Sequence, residues 1–302
     1  EVFDHGVKYD PNKNRTTNYK LNLPEGITLQ FWLKKDAFDT SKTKREVILD
    51  LWNGELSSSN QYGRLLLELT ASDLEESVLR LSLHSGSHGF NDVGIAHASF
   101  TKAVMQSDGW THHTLRIKGL EAGKTSVKYY KNGILNKSSS IDSLRGGQVH
   151  GTPVSLLEIG KNVNGFLGGL QHAPSGNIFL NAATQITGSG KLSASMDDFR
   201  FWKKDLDDQY IYNTWFYPIG GGANTDDARK DLGVYYKFNE GIVNNASYDS
   251  IVLDYSGRIA NGSWVGYNST FRNTGSAFVS SSTLTTEPAD PIIRLAHPQV
   301  QS

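Results

Sequence analysis

Carboxylates are the first side chains in this 302-residue sequence that could do chemistry, because it holds 31 aspartates and glutamates. Cleavage of a glycosidic bond needs two carboxyl groups that flank the bond. Glu75 and Glu76 are adjacent, so in a strand they would point to opposite faces and could not flank one bond. No serine lies in the Gly-x-Ser-x-Gly context of a hydrolase nucleophile. These observations predict a protein that is not an enzyme.

Histidines could act as metal ligands. His112 and His113 are neighbours in a predicted strand, so their side chains should face opposite sides and cannot chelate one ion. His84, His88 and His97 are spread over a region of uncertain shape and could meet to hold a metal, or they could be ordinary solvated side chains. The sequence has no cysteine, which excludes disulfides and Cys-based zinc sites.

Tryptophan rings could stack on sugars, and five are candidates: Trp52, Trp110, Trp202, Trp215 and Trp264. A tryptophan in a strand more often fills the interior of a β-sandwich. Trp52 precedes Asn53 and Gly54 at the end of a predicted strand, which makes it the best candidate for an exposed platform. We therefore predict Trp52 as a ligand-binding residue, with a glycan as its ligand.

These side chains would be positioned mainly by β-strands. Short runs of β-branched, aromatic and leucine residues alternate with turn-forming residues along the chain, which predicts strands at Ile27–Lys34, Glu46–Leu51, Arg64–Leu69, Val78–His84, Thr111–Ile117, Ser126–Lys131 and Leu156–Gly160. The odd positions of the first run are apolar, which predicts one buried face. Asn132-Gly133 between two such runs predicts a tight hairpin.

The signals for helices are scarce. One short helix is predicted within Asp205–Trp215, with Asp205 or Asp207 as its N-cap. Ser85–Gly109 and Gly165–Gly190 are predicted as long loop insertions.

The overall composition is that of a folded protein, with 37% hydrophobic and 20% charged residues. The net charge of −1 gives no field that would favour nucleic acid or an anionic membrane. The apolar runs are a few residues long, so we predict no membrane insertion.

Three stretches, in order, resemble the laminin-G-like jelly roll of the concanavalin A-like superfamily. They are the strand Leu29–Lys34, the strand and hairpin Asp108–Gly133, and the closing strand with its following helix, Ser195–Leu206. The resemblance implies an all-β, two-sheet antiparallel jelly-roll sandwich with one short helix and a C-terminal extension. It covers roughly residues 20–215, the core of a domain that we place at residues 1–231.

The same resemblance bears on the acidic residues. Glucanases of the superfamily carry a Glu-x-Asp-x-Glu triplet, which this sequence lacks. Many relatives hold calcium near the rim of the sheet, and Asp197 and Asp198 match the closing strand of the family, so the resemblance implies a possible metal site there. The alternative is that one aspartate satisfies backbone groups while Arg200 pairs with a carboxylate, since calcium needs six or more oxygens.

The segment Leu232–Gly262 resembles the opening of another such unit. Within it, the sequences of Tyr235–Ile242 and Leu253–Ile259 are similar to those of virion structural proteins of marine tailed phages, the cyanophages especially. We assign residues 232–273 to an opening segment of a second jelly-roll unit or to one that packs on the first. Residues 274–302 are predicted to be a linker or an extended arm. Its apolar cluster Ile292–Leu295 would either add a strand to another subunit or begin a further domain.

Together these features lead to two hypotheses about function. The first is a non-enzymatic structural or binding module of a tailed-phage virion, in a fibre, neck, tail or capsid decoration, with other virion subunits and copies of itself as partners. The second is a lectin-like module that binds carbohydrate on the host surface. The expected localisation is the virion, and calcium is the one cofactor to test.

Overall fold

A computed structural model of the protein describes residues 25–38, 45–54, 62–72, 76–85, 88–120, 123–142, 164–170, 190–219, 231–240, 245–257 and 260–264. In these ranges the strands are β1 (Ile27–Lys35), β2 (Arg45–Trp52), β3 (Gly63–Thr70), β4 (Leu79–Ser85), β5 (His88–Gly94), β6 (Trp110–Leu120), β7 (Lys124–Lys131), β8 (Ile134–Asp142), β9 (Asn164–Leu167), β10 (Ala194–Trp202), β11 (Leu232–Tyr236), β12 (Ile251–Val252) and β13 (Gly262–Ser263). The helices are α1 (Lys102–Ser107), α2 (Asp208–Thr214) and α3 (Ala246–Asp249).

The strands form two large antiparallel sheets and one small hairpin. The six-stranded sheet has the order β11-β10-β1-β6-β7-β8, and the five-stranded sheet has the order β5-β4-β3-β2-β9. Strands β12 and β13 pair with each other. The prediction of an all-β, two-sheet antiparallel sandwich is therefore confirmed.

The main core lies between the two large sheets. Strand β1 contributes Ile27, Leu29, Phe31 and Leu33, and alternate leucines of the other sheet meet them, including Leu65, Leu67, Leu69, Leu81 and Leu83. All of these side chains are buried, and each stabilises the fold by about 1.5–3 kcal/mol. The period-2 pattern in the sequence follows from this packing, because successive side chains of a strand point to opposite faces.

The outer face of the six-stranded sheet is also covered. A second cluster of buried side chains, which includes Tyr130, Trp202, Ile211 and Tyr235, joins this face to α2. Because of this cover, Thr28, Gln30 and Trp32 at even positions of β1 are as buried as the odd positions, although Lys34 is exposed, whereas the sequence pattern predicted one buried face.

Helix α2 lies inside the range predicted for the one helix. Its N-cap is Asp207, whose side chain accepts a hydrogen bond from the Tyr210 N–H at 2.6 Å. The helices α1 and α3 were not predicted. The prediction that Ser85–Gly109 is a loop is wrong, because β5 and α1 lie within it.

Two other predicted segments fall largely on residues that the structure does not describe. The strand Leu156–Gly160 lies outside the described ranges, and the loop Gly165–Gly190 is described only at its two ends, where β9 occupies the first. The arm at residues 274–302 is also outside those ranges. No helix among the described residues is long and apolar enough to cross a membrane.

The segment that starts at Leu232 joins the six-stranded sheet. Strand β11 pairs antiparallel with β10, with Arg200 opposite Tyr235 and Phe201 opposite Val234. All five residues of β11 are buried. The boundaries proposed at 231 and 273 stay predictions.

Candidate functional site

The outer face of the five-stranded sheet carries charged side chains in rows across its strands. Trp52 lies opposite Arg64, which lies opposite His84, and in another row Glu68 lies opposite Arg80. Alternation along β3 turns Arg64 and Glu68 away from the core leucines between them. One face of this sheet is therefore apolar, and the other holds ion pairs.

Trp52 is part of this charged face and is only 8% exposed. The guanidinium of Arg64 lies 5.2 Å from the centre of its ring. The prediction of an exposed platform at Trp52 is wrong, because every residue of β2 is buried, including those on the outer face. Ligand binding by Trp52 stays a prediction. It assumed an exposed indole ring, and the ring is buried.

Two carboxylates on this face differ in their electrostatics. Asp50 accepts two hydrogen bonds from Arg64, at 2.8 Å from Nε and 2.7 Å from Nη2. Glu68 has a weaker cationic neighbour, Arg45 Nη1 at 3.6 Å. Burial therefore raises the pKa of Glu68 to about 7, although Arg45 opposes the shift. Both carboxylates are almost fully buried, so a polysaccharide in solvent does not reach them.

The histidines do not form a metal site within the described residues. His112 and His113 lie on opposite faces of β6, as predicted: His113 Nδ1 is 2.9 Å from the hydroxyl of Tyr129, and His112 packs against Trp32. Burial lowers the pKa of His113 to about 3, and Lys131 adds to the shift, so this ring stays neutral. His112 is also fully buried, with its pKa well below the usual range.

His84 and His88 lie on the two paired strands of the β4–β5 hairpin, and His97 lies in the loop after β5. His84 is buried on β4, His88 begins β5, and His97 bonds to Ser99 in the loop after β5. Nowhere in the described ranges are three His, Asp or Glu side chains grouped so that they could hold a metal ion.

Asp197 and Asp198 lie on β10, each with partners inside the protein. Asp197 Oδ1 accepts a hydrogen bond from the backbone N–H of Asp198 at 2.9 Å, and the carboxylate of Asp198 is paired with Arg200 Nη2. Calcium takes six to eight oxygen ligands, and a carboxylate already bonded to a buried arginine is a poor one. The described residues do not fit a calcium ion here, and calcium binding stays a prediction to be tested by titration.

Helix α2, the three aromatic residues after it and the start of β8 carry large side chains that are exposed or half-exposed. We call this set of side chains the aromatic surface and define it as Tyr212, Trp215, Phe216, Tyr217, Ile134 and Leu135. Tyr212 and Ile134 are 62% and 63% exposed, and Tyr217 and Leu135 are 44% and 46% exposed. The rings of Phe216 and Tyr217 are 4.3 Å apart, and those of Trp215 and Phe216 are 5.4 Å apart.

Trp215 connects the two halves of this surface. Its ring lies 5.5 Å from that of Trp32 and 5.7 Å from that of His112, both of which are buried on the sheet. It also lies directly against Gly133, the residue before Ile134 in the turn between β7 and β8. The aromatic surface is therefore carried by the sheet and by the β7–β8 hairpin.

Sequence reasoning did not identify this surface. Its members come from two segments about 80 residues apart, and a spacing pattern cannot show that they meet. The available signal was the run Trp215-Phe216-Tyr217 directly after a short helix, because three consecutive aromatic residues cannot all face one core.

No family model matches the sequence, and no curated protein matches it either. Comparison with solved structures finds weak likenesses. A proposed carbohydrate-binding protein from Bacteroides ovatus has a TM-score of 0.39 and 16% identity, over 80% of this chain and 52% of its own. The receptor-binding domain of botulinum neurotoxin type G has a TM-score of 0.37 and 12% identity, over 63% of this chain and 38% of its own.

A heptameric SAP-like pentraxin from Limulus polyphemus has a TM-score of 0.31 and 14% identity, over 64% of this chain and 71% of its own. This chain thus spans about half the length of the first of these proteins and less than two fifths of the second. Likeness at this level assigns neither a family nor a ligand.

Proposed function

We propose that the chain is a non-enzymatic structural and binding module that contacts other protein subunits through its aromatic surface. The observation that carries the proposal is the exposure of Tyr212, Tyr217, Ile134 and Leu135, on the two segments that meet where the half-buried Trp215 lies against Gly133. Large apolar side chains gathered at one exposed place are typical of an interaction site, and scattered single ones are not. Aromatic residues are also enriched in protein interfaces and among their hot spots.

The mixture of side chains favours a protein partner over a sugar. Tyrosine and tryptophan rings suit both kinds of ligand, but Ile134 and Leu135 have no polar atom with which to orient a hydroxyl group. They are more than 40% exposed on the first two positions of the edge strand β8. Burying them against another protein would supply affinity through the hydrophobic effect.

The burial of the carboxylates on the charged face supports the non-enzymatic part of the proposal. Asp50 and Glu68 are two carboxylates of the charged face that differ in their environments, and both are buried. Asp50 is also held by Arg64 in a two-bond contact, which leaves it poorly placed to act as a nucleophile.

The particle to which we assign the module is the virion of a tailed phage. This part rests on the similarity of Tyr235–Ile242 and Leu253–Ile259 to virion proteins of marine tailed phages, in a chain free of cysteine. The partners would be other virion subunits and further copies of this chain. Immunogold electron microscopy of phage particles with an antibody against this chain tests the assignment, and particles without label would refute it.

The contact itself is testable with the chain as its own partner. We expect the wild type to sediment as an oligomer and the variant Tyr212→Ala with Phe216→Ala and Tyr217→Ala to sediment as a monomer. Tyr248→Ala is the matched control, because Tyr248 is 67% exposed on α3 and lies outside the aromatic surface. An oligomer that survives the triple substitution but is lost with Tyr248→Ala would place the interface elsewhere.

The second candidate function is glycan binding, which the two exposed tyrosines favour because each combines a ring with a hydroxyl group. A glycan array probed with the wild type separates the two proposals. A monomeric wild type that binds a glycan, and loses that binding in the triple variant, would favour the lectin-like function at the same surface.

A further inference from the structure

We propose that two supports hold the aromatic surface in its binding conformation: the Asn132-Gly133 turn against Trp215, and the buried Asp198–Arg200 ion pair, which is bonded to the backbone carbonyl of Tyr217. These four residues are positioning residues, because they act through the rings that they hold. The inference rests on the proposed function, since it concerns the same surface.

The first support is the turn between β7 and β8. Asn132 is fixed to β6 by two hydrogen bonds, one from its N–H to the His112 carbonyl and one from the His112 N–H to its Oδ1, both 2.9 Å. Gly133 follows with φ +74°, and a β-carbon there would collide with the indole ring of Trp215. The turn therefore needs glycine for its backbone conformation and for the close approach of Trp215.

The second support is Arg200, which is 1% exposed on β10. Its Nη2 donates to the carboxylate of Asp198 and, at 2.7 Å, to the backbone carbonyl of Tyr217. Asp198 has φ +54°, a conformation in which aspartate and asparagine are more common than most residues. The pair thus ties the chain just after α2 to a central strand of the sheet.

The energetics also favour a positioning role for this pair. A buried ion pair adds little net stability compared with apolar residues of the same size, because both charges lose their hydration. It does demand one geometry, since an arginine that lost Asp198 or the Tyr217 carbonyl would leave a buried charge or donor without its partner. An ion pair is therefore better suited to fixing the position of Tyr217 than to adding stability.

The two supports converge from distant parts of the chain. Asn132-Gly133 forms the turn of the hairpin predicted from the sequence. Asp198 and Arg200 belong to β10. The turn contacts Trp215, and the ion pair binds the backbone of Tyr217, two residues further on. The run Trp215-Phe216-Tyr217 is therefore held at both of its ends.

Hydrogen–deuterium exchange of the full chain, read by mass spectrometry, tests the proposal without any partner. In Gly133→Ala and in Arg200→Lys we expect peptides that cover residues 212–219 to exchange at least tenfold faster, while peptides from β3 exchange as in the wild type. Self-association, measured by sedimentation equilibrium, should weaken at least tenfold in both variants.

Matched controls exist for both substitutions. Gly54 has φ +78° with no atom within 4 Å of its would-be β-carbon, so Gly54→Ala carries the same backbone strain without a collision. Arg64→Lys alters another buried arginine paired with an aspartate, on the other sheet. If Arg200→Lys fails to fold, the neutral pair Asp198→Asn with Arg200→Met removes both charges and still frees the Tyr217 carbonyl.

The outcomes separate this inference from the proposed function. If residues 212–219 exchange faster in Gly133→Ala and Arg200→Lys but not in the controls, the positioning role is supported. This holds even if the wild type proves to be a monomer and the proposed function fails. Unchanged exchange at 212–219 in folded Gly133→Ala and in folded Arg200→Lys or its neutral replacement would overturn the inference. Equally fast exchange in Gly54→Ala and Arg64→Lys would overturn it as well, because the effect would then be general loosening.

Discussion

At the scale of single residues, Glu68 is a group whose charge opposes folding. Its pKa is raised from 4.5 to about 7, because burial disfavours the carboxylate and Arg45 compensates only in part. A carboxyl with a raised folded-state pKa stabilises the protein below its unfolded pKa. That contribution is lost as the pH rises from about 4.5 through about 7.

We therefore predict that Glu68→Gln stabilises the protein at pH 8 and leaves its stability nearly unchanged at pH 4.5. The gain at pH 8 should reach up to about 3 kcal/mol, since each unit of pKa shift corresponds to about 1.4 kcal/mol. Guanidinium unfolding at the two pH values measures it. A variant that is less stable than the wild type at pH 8 would show that the charged carboxylate has a stabilising partner.

Asp50 gives the opposite expectation on the same face. Its carboxylate is bonded twice to Arg64, and removing one partner of a buried pair leaves the other charge uncompensated. We predict that Asp50→Asn lowers the free energy of unfolding at pH 8 by about 3 kcal/mol or more. The same guanidinium titrations report this change, and equal effects of the two substitutions would contradict the distinction between the carboxylates.

At the scale of elements, the edge strand β11 depends on one carboxylate outside it. Asp254 accepts four hydrogen bonds, from the N–H groups of Tyr235, Ser256 and Ala260 and from the Ser256 hydroxyl, at 2.8–2.9 Å. It thus closes the turn after β12 and ties that turn to β11. This explains why aspartate, serine and glycine occur together at 254–257.

We predict that Asp254→Ala destabilises the protein by about 3 kcal/mol, because four buried or half-buried donors lose a charged acceptor together. Ser256→Ala is the control and should cost about 1 kcal/mol, the usual net value of one hydrogen bond. Chemical unfolding at pH 7 measures both. Equal losses in the two variants would mean that the other hydrogen bonds of Asp254 contribute nothing.

The sequence predicted elements well where apolar side chains alternate. β1 and β3 were located to within a residue or so at each end, because their period-2 pattern directly reflects one core face. β5 was missed, since His88–Gly94 contains two glycines, an asparagine and an aspartate and shows no such pattern. α1 was missed because a six-residue helix offers too short a pattern to detect.

At the scale of the whole molecule, the candidate site could not be derived from local patterns. Trp52 was predicted to be exposed because it ends a strand, yet the outer face of its sheet is buried, and a single strand does not reveal what covers it. The aromatic surface depends on the approach of Trp215 to Gly133, which is set by the path of the chain across the six-stranded sheet. Such non-local contacts leave little trace in residue spacing.

The extent of the folded unit is also a whole-molecule property, and two truncations test it. The buried residues of β11 and their pairing with β10 make Leu232–Tyr236 part of the sheet. Losing this strand would expose apolar side chains worth about 1.5–3 kcal/mol each. We predict that a chain ending at residue 231 fails to fold or melts more than about 10 °C below the full chain.

A chain that ends at residue 273 should behave differently. Residues 274–287 are rich in serine and threonine, and Pro288 and Pro291 each lack a backbone donor, so this stretch can bury little apolar surface to offset its ordering entropy. We expect the melting temperature, followed by circular dichroism, to stay within about 2 °C of the full chain, because each lost kcal/mol costs about 2–4 °C in a large domain. A fall comparable to that of the chain ending at 231 would show that residues 274–302 pack on the sandwich itself, and the interpretation of this stretch as a linker or arm would then be wrong.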